Sequence, residues 1–284
     1  MLPELPEVET VCRGMILAME GDIISSVDIR RPNLRWPFPV KMKERISGAK
    51  VNSLTRRAKY ILINLSSDET LILHLGMSGR ILIDEKKKSI LDKGDNVFGK
   101  HDHVTFYMKS GTTVTFNDPR RFGAIDLIET EHCDKHWLLS KLGPEPLGNS
   151  MNANYLFDAL RHKTTSIKVA LLDQKVVSGL GNIYVCEILF RVGISPRRIV
   201  KNLSMRTVSR IVEEIRNVLN EAILAGGSTL RDHRQTNGDL GYFQHNFSVY
   251  NREGDRCRKE KCSGFVIRLV QSGRSSFYCS KCQK

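Results

Sequence analysis

Apolar and polar positions alternate along much of the first half of the chain, which is the pattern of half-buried β-strands. Residues 50–65 and 70–76 contain such alternation. Two further stretches, 101–108 and 112–118, flank a short Lys-Ser-Gly turn and predict a hairpin. Several short strands with turns between them favour a β-sandwich. Residues 85–100 are charged and contain glycine, so we expect an exposed loop there.

A helical period precedes these strands, at the start of the chain. Pro6 suits a first helical turn, where its missing N–H costs nothing. Glu7 and Glu9 favour the positive end of the helix dipole, and Gly21 is suited to the helix end. The apolar stripe of this predicted helix consists of Val8, Val11, Cys12, Met15 and Met19.

The second half of the chain is predicted to be helical, after a connector rich in proline and glycine at 142–148. This connector is the predicted domain boundary. Short helices are expected within 152–161, 166–174 and 182–193.

The clearest helical pattern begins after Ser204, a favourable N-cap residue, and stops at Gly226 and Gly227. A long polar loop follows at 228–246. The predicted buried face of the helix consists of Val208, Ile211, Val212, Ile215, Val218, Leu219 and Ala222.

The chain has 284 residues, enough for two modest domains that each bury a core. Its 44 Lys and Arg outnumber its 31 Asp and Glu, which leaves a net charge of +13. Such an excess favours a polyanionic partner, most commonly nucleic acid, over a merely basic surface. The acidic start lacks a secretion signal, and no stretch reaches the roughly 18 apolar residues of a membrane span. We therefore expect a cytoplasmic protein without a membrane partner.

Four cysteines crowd the end of the chain in the pattern C-x4-C-x16-C-x2-C. The segment between the two pairs reads as strand, turn and strand, so the pairs are expected to meet across a hairpin. Four thiolates make a closed tetrahedral site, which predicts one structural zinc ion. The alternative is four unpaired thiols in a small basic tail. These cysteines are Cys257, Cys262, Cys279 and Cys282.

Two other features suggest contact with phosphate groups. Arg274 lies at the turn of the predicted hairpin and is well placed to reach a phosphate. In GLGN (179–182), the glycines permit a tight turn and Asn182 begins a helix, whose free N–H groups bind anions. Lys163 and Lys168 add cations just upstream. Alone, the GLGN motif is weak, because glycines between helices are usually ordinary turn residues.

Taken together, motifs along the whole chain resemble those of formamidopyrimidine-DNA glycosylase, the bacterial repair enzyme for 8-oxoguanine and ring-opened purines. The resemblance implies an α+β protein with an N-terminal β-sandwich, a leading helix and a C-terminal helix-two-turn-helix domain with a zinc-ribbon-like finger. The matching motifs are PELPEVET at the start, RRAKY (56–60), HLGMSGR (74–80), KHDHV (100–104), DPRRFG (118–123), LGPEPL (142–147), GLGNIYV (179–185) and the four-cysteine tail.

The resemblance implies domains at 1–141 (catalytic β-sandwich), 142–150 (hinge), 151–249 (helical, with the loop that closes over the flipped base) and 250–284 (zinc finger). It also implies a monomer that acts on duplex DNA containing oxidised purines or abasic sites. A nucleoid-associated location in a bacterial cytoplasm follows from that partner.

The resemblance also implies a catalytic mechanism. Pro3 matches the family's nucleophile, a secondary amine that attacks the sugar C1′ and forms a Schiff base. Glu4 matches the carboxyl that protonates the sugar ring oxygen. Lys59 resembles a proton donor or phosphate clamp, although on pattern alone it would be a solvated strand lysine. Arg274 resembles the finger arginine that assists δ-elimination after β-elimination.

Further residues match the family's DNA contacts. Met77, Arg120 and Phe122 match the side chains that fill the hole left by a flipped nucleotide. The resemblance also assigns DNA-backbone contacts to His74, His101 and Asn182. Since His101 and His103 are two apart on an expected strand, they share a face and could bind metal. Phosphate contact is preferred because no third ligand is apparent.

Two features depart from the family pattern. The first cysteine pair is spaced by four residues rather than two, which still permits tetrahedral ligation. Leu2 precedes Pro3 and is not the small second residue that aminopeptidases favour, so Met1 is expected to stay. An acylated Pro3 nitrogen has no usable lone pair. Three explanations are open: the true start lies elsewhere, the leader is removed in another way, or the enzyme is weak or inactive. We favour the first two, which concern the start of the chain and its processing.

The sequence is also compatible with two rival functions. A non-enzymatic zinc-finger protein that senses DNA lesions would share the charge and the cysteines but has no need of Pro3, Glu4 and Lys59. An endonuclease VIII-like glycosylase would prefer oxidised pyrimidines. That branch lacks the Leu-Pro step that follows the first Pro-Glu in this chain.

Overall fold

The computed structural model describes residues 3–85, 99–228 and 241–284. Most of the loops expected at 85–100 and 228–246 therefore lies outside the described residues. The described residues belong to two compact units, Met1–Ser140 with Gly226–Gly241, and Lys141–Ala225 with Tyr242–Lys284. No helix in the described ranges has both the length and the apolar character needed to cross a lipid bilayer.

The first unit is built from a leading helix and two antiparallel sheets of four strands. Its elements are α1 (Leu5–Met19), β1 (Ile24–Ile29), α2 (Met42–Ile46), β2 (Val51–Arg57), β3 (Tyr60–Leu65), β4 (Glu69–His74), β5 (Arg80–Asp84), β6 (Asp102–Met108), β7 (Thr113–Asn117) and β8 (Ala124–Glu129). A short 3-10 helix, Thr130–Lys135, follows β8.

The predicted β-sandwich and leading helix are confirmed. One sheet has the strand order β1-β6-β7-β5 and the other β2-β3-β4-β8. The predicted hairpin is the β6–β7 pair, in which Tyr107 lies opposite Thr113. A single apolar core combines the stripe of α1 with side chains from both sheets, including Ile61 and Phe106, which are fully buried. The alternating strands thus bury one face each against this core.

Three strands, β1, β5 and β8, were not predicted from the pattern. In β1 the register shifts between Ile24 and Ser26, so its buried residues do not alternate. In β8, Ala124 and Ile125 are both buried although they are neighbours in sequence. A bulge or a strand buried on both faces removes the two-residue period on which a sequence-based assignment depends.

The second unit is mainly helical and ends in a hairpin. Its elements are α3 (Ala153–Arg161), α4 (Ile167–Leu172), α5 (Asn182–Val192), α6 (Met205–Leu224), β9 (Val266–Gln271) and β10 (Arg274–Cys279), with 3-10 turns at Val200–Asn202 and Phe243–Asn246. The Ser204 side chain accepts a hydrogen bond from the Thr207 N–H, as its N-cap position predicts. All seven residues predicted for the inner face of α6 are buried.

Glu187 fastens the chain leading to the hairpin onto α5. It is 1% exposed, and its carboxylate accepts the backbone N–H groups of Ser248, Val249 and Tyr250 at 2.8–3.0 Å. Three charge-assisted hydrogen bonds compensate the desolvation of this buried carboxylate. The hairpin therefore starts from a fixed point on the helical unit.

Candidate active site and DNA-contacting residues

Pro3 and Glu4 lie at the amino end of α1, and both are buried. Glu4 is 3% exposed, and its backbone N–H donates to the Glu7 carboxylate at 2.9 Å. The other oxygen of Glu7 accepts the N–H and the hydroxyl of Ser228, each at 2.8 Å. Glu7 therefore ties the predicted catalytic pair to the residue where the 228–246 loop begins.

Sequence reasoning missed this role of Glu7 and treated it only as a favourable charge for the helix dipole. The available signal was its position three residues after the N-cap Glu4, the spacing of a capping box. The contact with Ser228 had no sequence signal, because the two residues are 221 positions apart.

Lys59 occupies a two-residue turn, with Ala58, between β2 and β3. Ala58 has a left-handed backbone, with φ of 54°. The Arg56 guanidinium donates to the Ala58 carbonyl at 3.0 Å and to the Glu9 carboxylate at 2.7 Å. The salt bridge to Glu9 joins the turn that carries Lys59 to the helix that carries Glu4. This partly buried bridge therefore links the turn of Lys59 to α1, the helix that begins directly after Glu4.

His74, at the end of β4, packs its ring on Tyr60 with 4.8 Å between centroids. Burial, followed by the nearby positive charges of Lys59 and Arg35, lowers the pKa of His74 to about 4. Its Nδ1 accepts the Gly76 N–H at 3.1 Å, which requires that nitrogen to be unprotonated. The neutral ring therefore carries its proton on Nε2, which leaves that nitrogen a hydrogen-bond donor.

We expect His74 to titrate near pH 4 in the folded protein and near 6.5 in the unfolded chain. Between these values the unfolded state binds more protons, so the fold loses stability as the pH falls from 6.5 to 4. The contribution is about 3 kcal/mol. NMR titration of the His74 ring and acid unfolding of His74→Gln test this, since the variant should lose less stability across that window. A wild-type midpoint near 6.5 would contradict the assignment.

Met77, Arg120 and Phe122 lie on two loops that connect the sheets. Residues 75–79 join β4 to β5, and residues 118–123 join β7 to β8. Phe122 is 42% exposed, and the Arg120 guanidinium lies 4.9 Å from its ring centroid. An exposed apolar ring with a stacked cation suits insertion between bases.

The two histidines of KHDHV do not share a strand face. His101 lies in the turn before β6, whereas His103 is buried within that strand. The Nε2 atom of His103 is 2.8 Å from the Asp118 carbonyl oxygen. In the described ranges, no cluster of metal-ligating side chains includes either histidine. The metal alternative thus gains no support, while phosphate contact by His101 stays a prediction.

Lys168 differs from the expected surface cation, because it is 0% exposed. Its ammonium donates to the Ser275 carbonyl at 2.8 Å and to the Ser276 hydroxyl at 2.6 Å. The Asn182 side-chain amide donates to the same carbonyl at 2.9 Å. Both residues therefore secure the backbone that follows Arg274. Burial requires such partners for the ammonium, and this packing was not visible in the sequence.

The remaining predicted cations of the second unit are accessible. Arg274 is exposed and directly follows the hairpin turn formed by Ser272 and Gly273. The Lys163 ammonium lies 3.7 Å from the Asp173 carboxylate, and its side chain is 40% exposed. Both side chains are free to reorient toward a phosphate, since an exposed ion pair contributes little stability.

The four C-terminal cysteines meet at the base of the β9–β10 hairpin, with all Sγ atoms within 4.8 Å of one another. The Cys257–Cys282 and Cys262–Cys279 Sγ distances are 3.6 and 3.9 Å, whereas the Cys262 and Cys282 Sγ atoms are 2.9 Å apart and would separate on ligation. Tetrahedral zinc with Zn–S bonds of about 2.3 Å requires S–S separations of roughly 3.8 Å. The longer first spacing therefore still permits closure of the site.

The chemistry of these thiols also fits a metal. A hydrogen bond from the Cys282 thiol lowers the pKa of Cys262 to about 7, whereas burial raises the pKa of Cys257 and of Cys282. The Lys259 and Gly264 backbone N–H groups point at Cys257 and Cys262, respectively, at 3.5 and 3.4 Å. Four converging sulfurs with amide donors around them are suited to one ion, with no open ligand position.

Family models match most of the chain. The formamidopyrimidine-DNA glycosylase N-terminal domain matches residues 2–125, and the H2TH domain of the same enzyme matches residues 142–234. The chain belongs to the formamidopyrimidine-DNA glycosylase family. The cysteines of the finger lie beyond both matched regions, so the case for a metal there comes from their own geometry.

Similar proteins agree with this assignment. Formamidopyrimidine-DNA glycosylases of Ruegeria sp. and Azorhizobium caulinodans are 56% and 53% identical to the chain, each over the full length of both proteins. A Lactococcus lactis FPG mutant in complex with DNA containing Fapy-dG has a TM-score of 0.87 at 31% identity, covering 99% of this chain and all of that one. The MutM (FPG) protein of Thermus thermophilus has a TM-score of 0.86 at 34% identity, covering 99% and 98%.

Proposed function

We propose that this member of the formamidopyrimidine-DNA glycosylase family removes 8-oxoguanine and formamidopyrimidines from duplex DNA through a Schiff base on Pro3. Family membership carries the glycosylase and AP lyase activity in base excision repair. The observation that supports the residue assignment is the Pro3-Glu4 start of α1, with Glu4 buried and its backbone fixed by Glu7.

In the proposed reaction, the Pro3 nitrogen attacks C1′ of the damaged nucleotide while the bond from C1′ to the base breaks. Glu4 protonates the sugar ring oxygen, so the ring opens and an iminium forms between Pro3 and the sugar. The electron pair of the C1′–base bond leaves with the base. The iminium then permits β- and δ-elimination of the 3′ and 5′ phosphates, with Lys59 and Arg274 as the assisting cations.

The damaged base must leave the stack before Pro3 can reach C1′. Met77, Arg120 and Phe122 form the proposed wedge that fills the resulting space. Two observations support this role: the Phe122 ring is exposed, and the Arg120 guanidinium stacks on it. This pair of side chains does not pack into the apolar core. Arg120 also offers hydrogen-bond donors to the orphaned base.

We propose that residues of each unit contact the phosphate backbone of DNA. His74 and His101 contribute from the sandwich, and Lys163, Asn182 and Arg274 from the helical unit. Lys168 acts inside the protein, because its ammonium is bound by Ser275 and Ser276. We further propose that residues 142–150 form a hinge and that the 228–246 loop covers the flipped base; residues 229–240 of that loop lie outside the described residues.

We propose that the ion held by the four C-terminal cysteines is zinc. Bound zinc supplies a fixed tetrahedral cross-link and no reactive position. The cysteine thiolates hold the base of the hairpin, and the hairpin presents Arg274 at its turn. We therefore expect metal ligation to stabilise the finger more than its small apolar core does.

Borohydride trapping on a duplex with one 8-oxoguanine tests the proposal. The intact mass of the purified chain first identifies the residue at which the mature polypeptide begins. A chain that begins at Pro3 should become covalently attached to DNA, and peptide mapping should place the sugar remnant on Pro3. Attachment to another residue, or trapping by a chain that retains Met1 and Leu2, would exclude Pro3 as the nucleophile.

The same duplex design distinguishes the rival functions. A lesion sensor binds the 8-oxoguanine duplex without cleaving it. An endonuclease VIII-like enzyme cleaves a thymine glycol duplex faster than the 8-oxoguanine duplex. Faster cleavage at 8-oxoguanine is the expected result.

A further inference from the structure

The two loops that carry Met77, Arg120 and Phe122 are joined by a buried polar cluster that the proposed reaction does not use. We call residues 75–79 the first wedge loop and residues 118–123 the second wedge loop. The strands before and after them are paired, with His74 opposite Ala124 and Arg80 opposite Asn117. The loops therefore cross between the two sheets side by side.

Asp118 is the centre of this cluster and is 0% exposed. One carboxylate oxygen accepts the Ser78 hydroxyl and, at 3.3 Å, the Arg120 N–H. The other oxygen accepts the Gly123 N–H at 2.8 Å. The Ser78 hydroxyl oxygen in turn accepts the Arg120 N–H at 3.1 Å. A single side chain thus bonds to Ser78 of the first wedge loop and to the Arg120 and Gly123 N–H groups of the second.

The backbones of the two loops are also in close contact. A Cβ atom at Gly76 would lie 2.3 Å from the Phe122 carbonyl carbon, so only glycine permits this approach. The backbone of Arg121 is left-handed, with φ of 58°, which directs the neighbouring side chains of Arg120 and Phe122. Such a conformation persists only where surrounding contacts hold it.

We propose that Asp118, acting with Ser78, is a positioning residue that pre-assembles the wedge. Met77, Arg120 and Phe122 then enter the base stack as one body, without first ordering two separate loops. Ordering exposed loops during insertion would add to the free-energy cost of unstacking the damaged base. The inference rests on the proposed function, because it requires these three side chains to act as the wedge.

The test compares two duplexes that differ only opposite the lesion. In one, 8-oxoguanine pairs with cytosine; in the other, it faces an abasic spacer, so no pairing is broken. Asp118→Asn and Ser78→Ala should slow single-turnover excision from the paired duplex by about 10- to 100-fold. On the unpaired duplex the loss should stay below about threefold, because the wedge has less to displace.

Matched variants distinguish a loss of wedge positioning from a general loss of protein stability. Ser78→Thr keeps the hydroxyl and should restore most of the rate on the paired duplex. Thr115→Val removes a hydroxyl that bonds Thr105 in the same sheet, away from the wedge loops, and should change neither rate. If Asp118→Asn does not fold, Ser78→Ala with its threonine rescue decides the question.

The following outcomes would contradict the inference or the proposed function on which it rests. Equal losses on both duplexes, or no loss for Ser78→Ala, would overturn the positioning role. Met77→Ala serves as the benchmark for wedge function and should show the same selective loss. If it shows none, the wedge assignment fails and this inference fails with it. Failure of the wild-type protein to cleave either duplex would instead refute the proposed function.

Discussion

Replacing Glu4 by Gln is expected to slow excision of 8-oxoguanine by about two to four orders of magnitude. Glu4 is buried at the start of α1, beside the proposed nucleophile, and its backbone is fixed by Glu7. Gln has the same size and keeps a carbonyl acceptor, but it cannot transfer a proton. The chemical step should therefore fail while the fold and the DNA contacts persist.

Single-turnover gel assays with one 8-oxoguanine in a duplex measure this rate. The dissociation constant for a duplex with an uncleavable abasic analogue should change by less than about threefold, because the lost function acts only in the transition state. Glu44→Gln is the matched control, since Glu44 is an exposed carboxylate on α2 of the same unit. Excision by Glu4→Gln at the wild-type rate would refute the proton-transfer role.

Removing the metal from the cysteine site is expected to disorder the β9–β10 hairpin and to weaken DNA binding by about 100-fold or more. Glu187, Lys168 and Asn182 anchor the finger to the helical unit, whereas the four cysteines close its base. The apolar cluster around its cysteines contains few large side chains, namely Phe190, Phe277 and the partly buried Tyr250. Segments of this size seldom fold without a metal or a disulfide. Loss of the hairpin also removes Arg274 from its place at the turn.

Cys279→Ser tests this expectation, together with metal analysis and hydrogen exchange. Wild-type protein should contain one zinc per chain and the variant much less. Exchange should accelerate in β9 and β10 but not in β2–β4, which belong to the other unit. Cys133→Ser is the control, because Cys133 is a free cysteine outside the cluster. A variant that keeps its zinc and its DNA affinity would contradict a structural role for ligation.

The predicted helices and the finger agree closely with the structure because their signals are local. The stripe of α1 and the inner face of α6 repeat every three to four residues, and the cap residue Ser204 lies three positions from the Thr207 N–H that it accepts. The hairpin follows from one turn with strands on either side. For the site, the motif resemblance predicts Pro3 and Glu4 as the catalytic pair, whereas charge and periodicity alone do not.

Irregular strands and buried polar contacts were less predictable. The bulge in β1 breaks the alternation that would reveal a strand. Lys168 has the sequence context of a surface cation, yet it is enclosed by the finger backbone. His103 likewise belongs to a basic motif but hydrogen-bonds within the sandwich. In both cases the residue type suggested a ligand contact, whereas the tertiary structure places the side chain in an internal hydrogen bond.

The sequence by itself determined the helices, the alternating strands, the cysteine ligand set and the family, because these depend on residue spacing along the chain. Only the tertiary structure decided which polar groups are buried together. Lys168 and Ser275 are 107 positions apart, and Ser78 and Asp118 are 40 apart. Such pairs form when sheets and helices close around them, since a buried charge must find its partners wherever the fold brings them.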